Sequence, residues 1–421
     1  MHASSRGLRR PRIGIVVPFL SNVGGVATVA EFVCETIERS GAYDLSLVSL
    51  PSSARDPLGV GLTRPASWFR GVRTAQGIWR GRPYVSVGAM AVELEFQRYR
   101  PRPALARALA DCDLIQVVTG MPAPACAVLG LGKPVAVHCC TRAPVERESF
   151  HRSRGGPGRI WRKAMTAITD RMDRIALQRA DAIQVMNSWI LDYAREVNAG
   201  REKPISLIRP GVNTSRFVPG ADRELRSEPY ILCVGRLSDP RKNVGLLLQA
   251  YAALASAIDR PVRLVLAGFG APPDAFWQEV RRLGLGDRVT FVEAPDEEAL
   301  VALYQRATVF ALTSDEEGLG IVLLEAMSCG IPVVSTACGG PDSIIRDGVD
   351  GYLVPVGDPA PLRDRLQRLV LDEVLNHRMG TAARKTALAR FDAHFAGHAL
   401  LGTYDELLGG GARPARQSAG R

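Results

Sequence analysis

Residues 308–357 constrain this chain more than any other stretch, because they read as strand, turn and helix twice over. Thr308–Leu312 is an apolar run of strand length, followed by the tight turn Asp315-Glu316-Glu317-Gly318. A helix is expected from about Gly320 to Cys329, with Gly330 and Pro332 as its stop signals. Ile331–Thr336 is the next strand, and Gly339-Gly340-Pro341 opens a second strand-to-helix turn. Open parallel sheets bind ligands at such carboxyl-end turns, and free N–H groups at the helix starts favour phosphate. Glu317 and Glu325 are eight residues apart. Eight helical residues rise about 12 Å, so an elongated ligand suits the pair better than one small substrate.

At 421 residues the chain is long enough for two or three domains, and a hydrophobic content of 46% supports large cores. No run of 18 apolar residues occurs, so no membrane-spanning helix is expected. The basic first dozen residues lead directly into a strand, without the apolar core and cleavage site of a signal peptide, and a cytoplasmic protein is expected. The eight cysteines (34, 112, 126, 139, 140, 233, 329 and 338) form no CxxC pair, which points to reduced thiols rather than disulfides or zinc. A net charge of +10 suits anionic partners. Nucleic acid is not expected among them, because the basic residues lack interleaved aromatics and a known binding module.

The rest of the chain repeats the strand–turn–helix theme. Arg12–Pro18 is a strand, Asn22-Val23-Gly24-Gly25-Val26 a glycine-bearing turn, and Ala27–Arg39 an amphipathic helix. The turn lacks the GxGxxG spacing of a dinucleotide fingerprint. Leu45–Leu50 is a further strand. Residues 51–83 are rich in Pro, Gly and Arg, carry Trp68, Phe69 and Trp79, and show no regular pattern, which marks a functional or mobile segment. Asp111-Cys112-Asp113 precedes the strand Leu114–Val118, at the end of the sheet away from any ligand, so these acids are expected to be structural. His138 sits at the carboxyl end of the strand Pro134–Cys139, with Arg142 and Glu146 in the loop after it. Residues 147–180 are the most basic segment. Ile160, Trp161, Met165, Ile168, Met172, Ile175 and Leu177 recur there at helical spacing. Such a helix either packs its apolar side inward or lies on an anionic membrane surface. A second α/β unit begins at Tyr230 and runs into Gly235-Arg236-Leu237-Ser238-Asp239-Pro240-Arg241-Lys242-Asn243. Val262–Ala267, ending in Gly268-Phe269-Gly270, and Val289–Glu293 supply further strands.

Three of these motifs together carry a family resemblance. They are Glu317-x7-Glu325 with Gly318 and Gly320 between and Glu-Ala-Met-x-Cys-Gly after, Gly235-Arg236-Leu237 with Lys242-Asn243, and Pro210-Gly211-Val212-Asn213 leading to Phe217. They resemble the retaining glycosyltransferases of the GT-B fold, family 4 (glycosyl transferases group 1). The resemblance is concentrated in residues 205–357 and looser over 12–200. Pro210 and Asn213 depart from the family's Asn and Asp, which weakens a charged contact at 213. The resemblance implies an α/β fold of two Rossmann-like domains facing each other across a cleft. Residues 1–217 would form the acceptor-binding domain, 218–228 a linker and 229–390 the nucleotide-sugar domain. Residues 391–408 would be a helix returning to the first domain, and 409–421 a disordered tail.

The implied activity is transfer of a hexosyl unit from a nucleotide diphosphate sugar, carrying UDP, GDP or ADP, with retention. The acceptor would be a carbohydrate, lipid-linked or small molecule, and neither cofactor nor metal is expected. Arg236 and Lys242 would hold the diphosphate, Glu317 the sugar hydroxyls and Glu325 the ribose, while His138 would approach the reacting side of the sugar. The chemistry asks for cations there, because bond cleavage moves negative charge onto the leaving diphosphate. The donor would also meet Gly24, Gly25, Gly235, Gly268, Gly318, Leu319 and Gly320. Gly339 and Gly340 would let backbone approach it, the segment after Val292 would face the base, and residues 51–83 would choose the acceptor. Some members act on lipid-linked acceptors, which bears on the membrane reading of residues 147–180. Two alternatives share the fold: a nucleotide-sugar epimerase or phosphorylase, and a binding protein with a decayed site.

Overall fold

The computed structural model describes residues 9–20, 25–51, 53, 55–148, 158–221 and 228–409. The first domain holds strands β1 (Arg12–Val17), β2 (Asp44–Ser49), β3 (Thr74–Trp79), β4 (Arg82–Val87), β5 (Leu114–Val118), β6 (Val135–Cys139), β7 (Ala182–Val185) and β8 (Ile205–Leu207). They pair in the order β3-β4-β2-β1-β5-β6-β7-β8, parallel except between β3 and β4. The second holds β9 (Tyr230–Arg236), β10 (Arg263–Phe269), β11 (Val289–Glu293), β12 (Val309–Leu312), β13 (Val333–Thr336) and β14 (Gly351–Val354), all parallel, in the order β11-β10-β9-β12-β13-β14. Inner strands such as β1 and β12 read as near-continuous apolar runs because helices cover both faces of a parallel sheet; β5 is buried throughout, whereas β3 at the edge is mostly exposed. Strand order reverses between β1 and β5 and between β9 and β12, which opens a crevice at the carboxyl ends.

Residues 51–83 hold more regular structure than their composition suggests. β3 and β4 form an antiparallel hairpin in which Trp79 faces Arg82. Its turn places Arg80 at φ 49° and Gly81 at φ 78°, the left-handed pair that a two-residue hairpin needs. Arg in place of the usual Asn or Asp hides that signal in the sequence.

The helix Gly158–Arg179 does not pack its apolar side inward. It buries Thr166, Thr169, Asp173, Ala176 and Leu177, and leaves Ile160, Trp161, Ile168 and Ile175 exposed. Asp173 orients it by accepting the N–H groups of Ala123 (2.7 Å) and Ala143 (2.8 Å), two donors at the carboxyl side of the sheet. Among the described residues no helix is long and apolar enough to cross a membrane.

The chain end returns to the first domain. The helix Ala393–Leu407 packs on the helix Gly25–Ser40, with Gly397 against Thr36 and Tyr404 edge-on to Tyr43 at 5.8 Å. The Val212 N–H donates to the Phe391 carbonyl at 2.8 Å just before it. Most of the expected linker, 222–227, and the tail from 410 lie outside the described residues. Asp113 accepts the Arg12 N–H at 2.7 Å, a structural use of the Asp111-Cys112-Asp113 string.

Candidate active site

The second domain supplies the charged pair. β9 ends at Arg236, and the chain turns through Pro240–Lys242 to Asn243, whose left-handed φ of 43° and side chain cap the helix Val244–Ala257. Asn243 donates to the Asp315 carboxylate (2.8 Å), the Asp315 N–H donates to the Arg241 carbonyl (2.7 Å), and the Thr313 hydroxyl donates to the Lys242 carbonyl (3.1 Å). These bonds lock the β9 loop to the β12 loop. Lys242 Nζ therefore meets Glu317 Oε2 in an ion pair, to which the Ser314 hydroxyl adds a bond of 3.3 Å. Arg236 stays half exposed, its guanidinium 3.3 Å from Asp239.

Glycine makes the adjoining turns possible. Gly268 has φ +129°, and a Cβ there would lie 2.1 Å from the Gly235 carbonyl oxygen. Gly340 donates its N–H to the Glu317 carbonyl (2.8 Å), and a Cβ on it would fall 2.6 Å from the Leu319 backbone. Gly320 caps the helix Ile321–Ser328 at φ 87°, and buried Leu319 pins the loop to the core. Glu325, in that helix, accepts the Tyr304 hydroxyl at 2.6 Å. Burial pushes its carboxyl pKa up, while this bond and the Arg216 charge act the other way. Asp342 accepts the Gly339 N–H at 2.7 Å and so serves its own helix start.

The first domain docks on this turn through Asn187, which the sequence marks only as a helix cap, and through Cys140 and Thr141. The Asn187 amide donates to the carbonyls of both Cys140 (2.9 Å) and Gly318 (2.8 Å), and its oxygen caps its own helix at the Ile190 N–H. A Cβ on Gly318 would lie 3.0 Å from Cys140 Sγ. The Thr141 hydroxyl donates to Glu316 at 3.2 Å, and Arg241, bonded twice to Asp239, stands 4.0 Å from Glu316. The one available signal was position: Cys140 and Thr141 directly follow β6 at its carboxyl end.

His138 is not brought to the cleft. Its ring is fully buried, with Nε2 2.9 Å from the Ile208 carbonyl oxygen and Nδ1 without a partner. Burial lowers its pKa to about 4 against the opposing carbonyl, so the ring is neutral. Strand geometry explains this: His138 is still inside the β5–β6–β7 ladder, and Cys140 is two residues further on. Burial, then the nearby Glu146 and Glu317 charges, push the Cys140 thiol pKa up, so it stays protonated. Arg142 binds Asp170 twice, at 3.1 and 2.7 Å, and stacks on Tyr193. Glu146 lies beside the Gly120 turn with Oε2 buried and unpartnered. Gly25 opens its helix with nothing within 4 Å of a would-be Cβ, whereas Gly24 lies outside the described residues.

Comparison with known proteins places these features in context. Residues 221–386 match the family model described as Glycosyl transferases group 1. A D-inositol 3-phosphate glycosyltransferase of Corynebacterium jeikeium is 36% identical over 235 residues, 51% of this chain and 55% of that protein. A GDP-mannose-dependent alpha-(1-6)-phosphatidylinositol monomannoside mannosyltransferase of Mycolicibacterium smegmatis is 31% identical over 263 residues, 58% of this chain and 67% of that protein. The chain thus spans about half the length of the first of these relatives. Sucrose-phosphate synthase from Thermosynechococcus elongatus superposes with a TM-score of 0.70 at 22% identity, covering 94% of this chain and 99% of that one. The fold is therefore that of the GT-B glycosyltransferases.

Proposed function

The chain belongs to the glycosyl transferases group 1 family, and from that premise we propose that it moves a hexosyl unit from a nucleotide diphosphate sugar to an acceptor with retention of configuration. The observation that carries this reading is the Lys242–Glu317 pair, held between glycine turns at the carboxyl ends of β9, β12 and β13. An incoming diphosphate takes over Lys242 and Arg236, which frees the Glu317 carboxylate for the sugar hydroxyls. Fixed cations at the leaving group then favour the transition state over the ground state. Glu325 takes the ribose in place of the Tyr304 hydroxyl. His138 acts indirectly: it ties β6 to the Ile208 carbonyl and so positions Cys140 and Thr141 against the donor turn. The departing phosphate accepts the acceptor proton, and Arg236, Lys242 and the helix N-termini provide the positive field without a metal. Chelator treatment is therefore expected to leave turnover unchanged.

The relatives' names bring GDP-mannose as a donor and an inositol phosphate as an acceptor to the head of the trial set. The exposed stripe Trp161, Ile168 and Ile175 recurs every seven residues, with exposed Lys163, Arg171 and Arg174 around it. This face suits an anionic bilayer surface, charge against charge and apolar side chains into the interface.

Thermal unfolding against UDP, GDP and ADP, each with and without attached sugars, tests the reading, because a ligand of the native state raises apparent stability. A rise with one nucleotide that grows with one sugar is the expected result. No rise with any of them overturns it.

A further inference from the structure

Beside the cleft the first domain contains two adjoining cavities. One, of about 260 Å³, opens at the carboxyl ends of β1, β2 and β4 between Leu20, Ser49, Tyr84 and Ser86. The other, of about 360 Å³, shares Pro57 with it and is lined by Arg64, Ser67, Arg70 and Arg73. No acidic side chain stands in the wall of this second cavity. The main chain positions two of its arginines: Arg64 donates to the Asp56 carbonyl and Arg73 to the Pro57 carbonyl, each at 2.9 Å. Arg64 Nε is nevertheless buried without a hydrogen-bond partner. The carboxylates nearby are already committed, Asp56 to the N–H groups of Leu58 and Gly59, and Glu93 to the N–H groups of Leu62 and Thr63. Arg64, Arg70 and Arg73 therefore line one cavity, and a guanidinium grips two oxygens of an anion at once.

We propose that this cavity is an anion site that takes a phosphoryl or carboxylate group of the acceptor, whose hydroxyl end reaches the cleft through the smaller cavity. Only the word acceptor rests on the transferase reading; the anion site stands on its own residues. The anion comes either from a soluble acceptor or from a lipid headgroup, and exposed Leu62, Trp68 and Phe69 on the same segment bear on the second source.

The test follows thermal unfolding of the full chain in inorganic phosphate against chloride at equal ionic strength. It compares the wild type with Arg70→Gln, with the triple variant Arg64→Gln/Arg70→Gln/Arg73→Gln, and with Lys242→Ala, which weakens phosphate binding at the donor site. Phosphate stabilisation is expected to persist in Lys242→Ala. Apparent affinity is expected to fall a few-fold in Arg70→Gln and about tenfold or more in the triple variant. Arg70→Gln keeps the test sound if the triple variant fails to fold, because Arg64 and Arg73 keep their carbonyl bonds. Flotation with vesicles of phosphatidylglycerol in phosphatidylcholine separates the sources. Vesicle binding weakened by Arg70→Gln, alongside weakened phosphate binding, supports a headgroup; unchanged vesicle binding beside the same phosphate loss supports a soluble anion. Phosphate stabilisation that survives the arginine changes but vanishes in Lys242→Ala overturns the proposal, as does no stabilisation of the wild type. Nucleotide stabilisation is read separately in Arg70→Gln, so failure of the anion site is distinguishable from failure of the donor site.

Discussion

Lys242 and Glu317 lie 75 positions apart in the chain and meet because their loops are bonded to each other at Arg241–Asp315 and Asn243–Asp315. Glu317→Gln keeps the shape of the side chain and removes its charge. Turnover is expected to fall on the order of 10²-fold or more while far-ultraviolet circular dichroism stays unchanged; near wild-type turnover would remove Glu317 from the site. His138 gives a prediction about stability. Its folded pKa is about 4, below the ordinary value of 6.5. The unfolded chain therefore binds the proton first, so this stability is present above about pH 6.5 and is lost as pH falls toward 4, to a limit of about 3 kcal/mol. His138→Gln should flatten that acid limb in denaturant titrations at pH 4–7. An unaltered limb would show that other groups set it. Both residues were visible in the sequence, but only Glu317 carried its setting with it. The strand end that suggested a role for His138 could not say which residue leaves the ladder.

At the scale of elements, the glycine turns are the firmest constraint. Gly268→Ala would force a Cβ onto the Gly235 carbonyl at a positive φ, and is expected to destabilise the second domain by about 3 kcal/mol or more in chemical denaturation. A change under about 1 kcal/mol would mean that the two strand ends can part freely. The helix Gly158–Arg179 makes the opposite point. Its apolar periodicity was legible, but the inward face was chosen by Asp173 and two N–H groups near the strand ends. The variant Trp161→Ser/Ile168→Ser/Ile175→Ser should lower partition onto anionic vesicles about tenfold or more. Stability should change little, since these side chains are at the surface. Equal partition would exclude this face as the membrane contact.

At the scale of the whole molecule, one contact between the two domains lies where the Glu317-Gly318 turn meets the end of β6. Gly318→Ala would place a methyl 3.0 Å from Cys140 Sγ, although the residues belong to different domains. We expect that substitution to lower kcat/KM about tenfold by holding the cleft apart, and Cys140→Gly in the same chain to restore several-fold of it. A double-mutant cycle with no coupling would show that the domains do not need this contact for turnover.

By itself the sequence determined the class of fold and the two turn–helix units, and it marked Arg236, Lys242, Glu317 and Glu325 as candidates. Those features are local: strand-length apolar runs, helix stops and glycines act on neighbours in the chain. The β3–β4 hairpin, the outward stripe of Gly158–Arg179, the burial of His138 and the Asn187 bridge between domains were decided only by the tertiary structure. The hairpin turns on an Arg80-Gly81 pair whose left-handed backbone the residue types do not announce, and the other three depend on which distant group arrives opposite a residue. Asn187 illustrates the limit, since one side of its amide caps its own helix and the other meets Gly318, 131 positions away.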